Sequence, residues 1–201
     1  MPRLAIANRT ALAQPAAIVR SAAHDEYAVI AHLLLRANLE YRTGVSPAIF
    51  GAYVRALQTL TQSWANKDFL VAELDGKLLG AVAFYREASA IGFNLPHEWA
   101  GLRALAVDPA ARGRGIGRQL TEACALRAWR IGRAAICLHN APFQKAALKL
   151  HLSMGFARCP RYDIDASDLL GTIGDRIPIE AFCLDLRSAA ARSSPFDLEH
   201  G

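Results

Sequence analysis

The spacing of hydrophobic residues along the chain predicts alternating strands and helices. Short apolar runs bounded by Gly, Pro or Asp are typical of buried strands, and apolar positions repeated every three or four residues are typical of helices. The predicted strands cover residues 17–20, 69–73, 78–85, 99–107, 134–139, 156–162 and 179–186. The predicted helices begin near Tyr27, Pro47, Gly117 and Gln144 and end near Gly44, Trp64, Ile131 and Ser153.

Local signals support several of these boundaries. Ser46-Pro47 combines a capping side chain with a proline in the first turn, which is typical of a helix start. Asp75-Gly76 is typical of a two-residue hairpin turn. Pro109 ends a strand because it has no N–H for the ladder. The order β-α-α-β-β-β-α-β-α-β-β predicts an α/β fold in which helices cover both faces of a mixed sheet.

Length and composition are those of one compact domain. The chain has 201 residues, 53% hydrophobic and 20% charged, so it can build a substantial core and resembles neither a disordered chain nor a coiled coil. We expect a single domain over residues 17–187, with a flexible extension at 1–16 and a flexible tail at 188–201. No apolar run reaches the roughly 18 residues that a transmembrane helix needs, so no membrane partner is expected.

The net charge of +5 is compatible with an anionic partner. Most Lys and Arg residues are scattered, and the one cluster is Arg112, Arg114 and Arg118. Nucleic-acid binding typically uses a longer basic stripe with aromatic residues between the charges, and the sequence has no such stripe. We therefore expect one local anion site and no nucleic-acid partner.

The four cysteines are not spaced as metal ligands, and we expect no metal site. Cys124 and Cys137 lie in apolar runs and are interpreted as reduced core residues. A disulfide framework is not expected in a chain of this length. These interpretations together predict a cytoplasmic protein.

The segment that carries chemistry joins the strand ending at Val107 to the following helix. Its sequence Arg112-Gly113-Arg114-Gly115-Ile116-Gly117-Arg118 has three glycines in five positions, which let the backbone bend tightly and approach a ligand. The unpaired N–H groups and positive dipole end of the helix favour a phosphate there. The three arginines add positive charge, so the loop is interpreted as a pyrophosphate site rather than as a tight turn only.

Two common phosphate motifs do not fit this loop. A P-loop requires Gly-Lys-Ser or Gly-Lys-Thr, whereas Gly117 is followed by Arg118-Gln119. A dinucleotide fingerprint requires glycine at the position that Arg118 occupies, and the acid expected for a ribose is missing.

The loop instead resembles the R/Q-x-x-G-x-G/A motif of the GNAT superfamily of acetyl-CoA-dependent N-acetyltransferases. A second stretch, Gln144-x-x-Ala147-x-x-Leu150-His151-x-x-x-Gly155-Phe156, is similar to that family's N-x-x-A-x-x-L-Y-x-x-x-G-F signature. The resemblance covers residues 18–186 and implies a central, mostly antiparallel sheet of six to seven strands with four helices. It implies acetyl-CoA as co-substrate, bound by Leu105, Ala106, Val107, Arg112, Gly113, Arg114, Gly115, Ile116, Gly117, Arg118 and Gln144.

The resemblance leaves the catalytic groups open. His151 stands where the family usually has a tyrosine acid, and with an ordinary pKa of about 6.5 it could protonate the leaving thiolate. Glu98, just before the fourth strand, is the candidate base. Glu40 and Tyr41 are candidates to line the acceptor cleft, while His139 is interpreted as a core or rim residue.

The function implied is transfer of an acetyl group to a primary amine by direct attack in a ternary complex. A small-molecule or peptide amine is the expected acceptor, and both a monomer and a homodimer remain open. The alternative is a non-catalytic acyl-CoA sensor or scaffold of the same fold.

Overall fold

A computed structural model describes residues 17–62, 65–165 and 178–187. One sheet and four helices make up the fold. The strands are β1 Ile18–Ser21, β2 Asp68–Leu74, β3 Lys77–Tyr85, β4 Ala100–Val107, β5 Ala135–Asn140, β6 Ala157–Arg158, β7 Ile164–Asp165 and β8 Pro178–Asp185. The helices are α1 Tyr27–Asn38, α2 Pro47–Thr61, α3 Ile116–Arg130 and α4 Lys145–Ser153.

The sheet has the strand order β1-β2-β3-β4-β5-β8-β6, with β7 also paired to β8. Every pairing is antiparallel except that of β4 with β5. The predicted α/β fold, with its mixed and mostly antiparallel sheet and four helices, is confirmed, although the described sheet has eight strands.

Successive side chains of β2 point to opposite faces of the sheet, which explains why both faces are covered. Phe69 and Val71 point to the face that α1 covers, where they pack near Ile30. Leu70 points to the opposite face, where it belongs to the cluster that includes Leu120 of α3. β2 therefore contributes to two apolar layers, which is why it reads as a nearly continuous hydrophobic run.

β4 and β5 pair only at their beginnings, and the gap between them creates room for a site. Their parallel register joins Ala100 to Ile136 and Gly101 to Cys137 and goes no further. Past this point β4 carries a bulge, because its register with β3 shifts and Ala104 adopts a φ of 53°.

Two expectations require correction. The predicted strand at 156–162 is limited to β6, because Pro160 has no N–H to extend a ladder and begins a short 3-10 turn. A disulfide joins Cys159 to Cys183, which contradicts the expectation of no disulfide, while Cys124 and Cys137 are free and buried. The cysteines therefore no longer support a cytoplasmic location. Trp64, the extension at 1–16, the tail at 188–201 and residues 166–177 lie outside the described residues.

Candidate active site

The glycine-arginine loop begins with a structured turn after β4. Asp108 accepts a hydrogen bond from the backbone N–H of Ala110 at 3.1 Å and an ion-paired hydrogen bond from Arg36 at 2.6 Å. Gly113 and Gly115 then take φ values of 76° and 80°, and Gly115 caps the first turn of α3 without a side chain. The N–H groups of that turn therefore have no capping side chain, as an anion site requires.

A cavity of about 350 Å³, here called the loop cavity, lies over this turn. A Cβ atom added at Gly113 or Gly115 would contact nothing within 4 Å, so open space lies directly above the backbone. The cavity walls contain all the residues predicted to bind acetyl-CoA except Arg114 and Gln144. Glu40 and Tyr41 also line it, although they were expected at the acceptor cleft.

The guanidinium of Arg112 is held by the end of α1 and its extension. It donates to both carboxylate oxygens of Glu40, at 2.8 Å each, and to the carbonyl of Ala37 at 2.8 Å. The Glu40 carboxylate balances the charge of Arg112, which therefore positions the loop more than it attracts an anion.

The other two arginines of the loop leave more positive charge available. Arg118 donates to the Ser153 hydroxyl at 2.8 Å and lies 3.5 Å from the Glu122 carboxylate, an exposed i,i+4 pair. Arg114 is exposed and forms no ion pair with a described residue. Exposed ion pairs are weak, so the start of α3 keeps a positive potential.

The second cavity, here called the aromatic cavity, occupies the gap between β4 and β5. It has a volume of about 130 Å³ and meets the loop cavity at Leu105 and Ala147, which line both. Much of its wall is apolar and aromatic. Its polar lining residues are Tyr53, Arg103, His139, Asn140, Gln144 and His151.

A chain of hydrogen bonds connects the walls of the two cavities. The Tyr53 hydroxyl donates to the Asn38 side-chain oxygen at 2.9 Å, and the Gln144 side chain donates to Tyr53 at 3.3 Å. The Gln144 oxygen in turn accepts from the Ala141 N–H at 2.9 Å. Burial raises the pKa of Tyr53, so its hydroxyl stays protonated. No sequence pattern indicates this role, because Tyr53 falls on an apolar helix face and is interpreted as a core residue.

The backbone of β4 directs one N–H group into the gap. Asp108 donates its N–H to Leu79 of β3 at 2.8 Å. Successive amides in a strand point to opposite sides, so the Val107 N–H points away from β3 and toward the space that β5 leaves open.

His151 is almost completely buried in the wall of the aromatic cavity, at 2% exposure. Neither ring nitrogen has a hydrogen-bond partner among the described residues, and the ring lies 5.5 Å from that of Phe156. Burial lowers its pKa to about 4. The expected pKa of about 6.5 is therefore wrong, and the imidazole is neutral at pH 7.

His139 occupies the same cavity in a defined tautomer. Its Nε2 lies 2.8 Å from the carbonyl oxygen of Tyr162, which can only accept, so Nε2 carries the hydrogen. Burial lowers its pKa, and in the neutral ring Nδ1 keeps its lone pair. This residue, interpreted from the sequence as core or rim, thus places a ring with one unprotonated nitrogen in the cavity wall.

Glu98 lies away from these residues. It stands before the start of β4, where its carbonyl accepts from Ala134, whereas both cavities adjoin the later part of that strand. Its side chain is half exposed and lies 3.3 Å from His97. The structure does not bring Glu98 together with His151.

The described residues contain no group of three or more His, Cys, Asp or Glu placed to hold a metal ion. None of their helices has both the length and the apolar character needed to cross a bilayer.

Several solved structures share this fold. An N-acetyltransferase from Staphylococcus aureus Mu50 matches with a TM-score of 0.60 at 20% identity, over 86% of this chain and 99% of that one. A putative acetyltransferase from Salmonella typhimurium, solved with acetyl-CoA, matches with a TM-score of 0.58 at 24% identity, over 86% and 95%. The ribosomal-protein-S18-alanine N-acetyltransferase from Escherichia coli matches with a TM-score of 0.59 at 17% identity, over 85% and 94%.

Comparisons of the sequence itself gave one match. A comparison with curated proteins found no relative. Residues 65–158, which include β4, the glycine-arginine loop and α4, match the family model of the acetyltransferase (GNAT) domain. Residues 65–158 are therefore recognised as a GNAT acetyltransferase domain.

Proposed function

We propose that the protein is an N-acetyltransferase that moves the acetyl group of acetyl-CoA directly to a primary amine in a ternary complex. The observation that carries this proposal is the meeting of two cavities at Leu105 and Ala147. One cavity has the wall of an anion site, and the other can hold a second small molecule, so two substrates can meet without a covalent enzyme intermediate.

Acetyl-CoA fits the loop cavity by chemistry and shape. The N–H groups at Gly113, Gly115 and Gly117 would hold the pyrophosphate, and the open space above the first two glycines leaves room for it. The pantetheine arm would follow Leu105 to Val107, and the acetyl group would reach the junction of the cavities.

The reaction requires a neutral amine, a hydrogen-bond donor for the oxyanion and an acceptor for the proton that the amine loses. Residues of the cavity walls can supply the donor and the acceptor. The amine must be neutral, since an alkyl ammonium with a pKa of about 10 has no free lone pair. Its nitrogen attacks the thioester carbon, and the Val107 N–H stabilises the oxyanion that forms. His139 Nδ1 accepts the proton that the nitrogen loses, a role that its position in the cavity wall supports better than that of Glu98.

The carbon–sulfur bond then breaks and coenzyme A leaves as its thiolate. A neutral His151 is a hydrogen-bond donor to this sulfur rather than a cationic acid, because its pKa is lowered to about 4. The Tyr53 hydroxyl on the same wall donates its one hydrogen to Asn38 and therefore has none to offer the sulfur. Coenzyme A and the acetylated amine are the products.

Calorimetry with acetyl-CoA, coenzyme A and ATP tests the first half of this proposal. We expect micromolar binding of both coenzymes and little binding of ATP, followed by release of free thiol when an amine is added. A folded protein that binds no acetyl-CoA would contradict the proposal. Binding without turnover on any amine would instead support the sensor alternative. A cytoplasmic location and a homodimer remain predictions.

A further inference from the structure

Arg103 is the one cationic side chain among the described residues that line the aromatic cavity. It lies on β4 opposite Ala83, just before the bulge at Ala104. The side chain is partly buried. It is therefore a charged group in the wall of the compartment where the acceptor would bind.

No described carboxylate balances this charge. The described lining of the aromatic cavity contains no Asp or Glu, and Arg103 forms no ion pair with the described residues. Arg112, by contrast, is paired with Glu40. Lys67 lies nearby, and burial and then the charge of Arg103 lower its pKa. A partly buried guanidinium without a counter-ion is unfavourable, and a bound anion would relieve that cost.

Arg103 is close enough to the junction of the two cavities to contact a small molecule bound there. Arg103 precedes Leu105 by two residues, with only the bulge residue Ala104 between them. A long arginine side chain can therefore reach a group on the molecule whose amine lies beside the acetyl carbon. Much of the wall is apolar, with Phe93, Phe143 and Ile179 among its residues.

We propose that the acceptor is a hydrophobic α-amino acid whose carboxylate binds Arg103. This inference rests on the proposed N-acetyltransferase function and narrows its substrate. Polyamines and aminoglycosides are disfavoured acceptors, because a second ammonium group would meet Arg103 and find no carboxylate in the described wall.

The test compares three amines with the same side chain: leucine, leucinamide and isoamylamine. Arg103→Gln removes the charge, and Arg130→Gln, at the exposed end of α3, is the matched control. The wild-type protein and the control should prefer leucine by about 10- to 100-fold in kcat/KM, the range that a charge-assisted hydrogen bond supplies. Arg103→Gln should lose this preference, because its kcat/KM should fall far more for leucine than for isoamylamine.

Equal turnover of all three amines by the wild type would overturn the inference, as would an equal loss for all three in Arg103→Gln. Calorimetric titration of leucine into protein with and without coenzyme A separates this inference from the proposed function. If no amine is acetylated but leucine binding depends on Arg103, the carboxylate site stands and the transferase proposal fails. If leucine does not bind and isoamylamine is acetylated, the transferase proposal stands and the carboxylate site is rejected.

Discussion

Gly115 combines two properties that no other residue type can supply at that position. Its φ of 80° lies in the left-handed region, where another residue costs about 1 to 2 kcal/mol, and open space lies above its Cα atom. We expect Gly115→Glu to lower acetyl-CoA affinity by about 100-fold or more, because a carboxylate would occupy the place of the pyrophosphate. Calorimetry measures the affinity.

Gly132 provides the control for backbone strain. Its φ is 74°, and a Cβ atom there would also meet nothing, but it follows α3 at the end far from the loop. Gly132→Glu should lower stability by a similar amount and leave acetyl-CoA affinity unchanged. If Gly115→Glu and Gly132→Glu lost acetyl-CoA affinity equally, the loss would come from backbone strain and not from blocking the binding site.

His151 should make stability depend on pH in a defined window. In the unfolded chain it takes up a proton below about pH 6.5, whereas the folded protein keeps it neutral down to about pH 4. The unfolded state therefore holds more protons between these values, and stability falls as the pH is lowered through them, by up to about 3 kcal/mol. Urea unfolding of the wild type and His151→Leu at pH 7 and 4.5 should show a smaller loss for the variant. Parallel losses would mean that the ring is already charged or hydrated in the folded protein.

At the scale of elements, the contact of α3 with β3 controls where the loop lies. A Cβ atom at Gly80 would come within 2.8 Å of Ile116, the first residue of α3, and 2.9 Å of Leu120. Gly80→Ala should therefore push the helix start away from the sheet, lower stability by about 1 to 3 kcal/mol and weaken acetyl-CoA binding. Thermal unfolding and calorimetry measure the two effects.

A glycine-to-alanine substitution in α2 should change stability in the opposite direction. Gly51 lies within that helix, and its added Cβ atom would meet only the flexible end of Arg55, at 3.5 Å. Gly51→Ala should raise stability by about 0.5 to 1 kcal/mol, because alanine loses less backbone entropy in a helix. A destabilised Gly51→Ala together with a stable Gly80→Ala would contradict the packing described for both elements.

At the scale of the whole molecule, one covalent link supports the end of the sheet that carries β6. β6 pairs with β8 through only two residue pairs, and the Cys159–Cys183 disulfide joins the same segments across 24 residues of chain. Replacing both cysteines with serine should lower stability by about 3 kcal/mol, because the unfolded chain gains freedom. The wild type should lose a similar amount in reductant, and the serine variant should not respond. An unchanged wild type in reductant would show that the link contributes little.

The features that could be predicted from sequence are those that depend on residues close together in the chain. Strand and helix positions and the Asp75-Gly76 turn depend on neighbouring residues, and the structure places positive φ values of 50° and 74° at that turn. The glycine-arginine loop could be predicted for the same reason, because a run of glycines directly before a helix has few other uses. Cys159 and Cys183 were missed because their pairing depends on β6 and β8 lying side by side.

The sequence by itself determined the order of elements apart from the short β7, the burial of the strands on both faces and the anion-binding loop, since these depend on residues a few positions apart. Only the tertiary structure decided the rest of the candidate site. The partial pairing of β4 with β5 opened the gap, folding buried His151 enough to lower its pKa, and α2 brought Tyr53 to Asn38 and Gln144. Arg103 became a candidate anion receptor because the described wall around it holds no carboxylate. Burial and counter-ions are properties of the packed chain, and local sequence does not encode them.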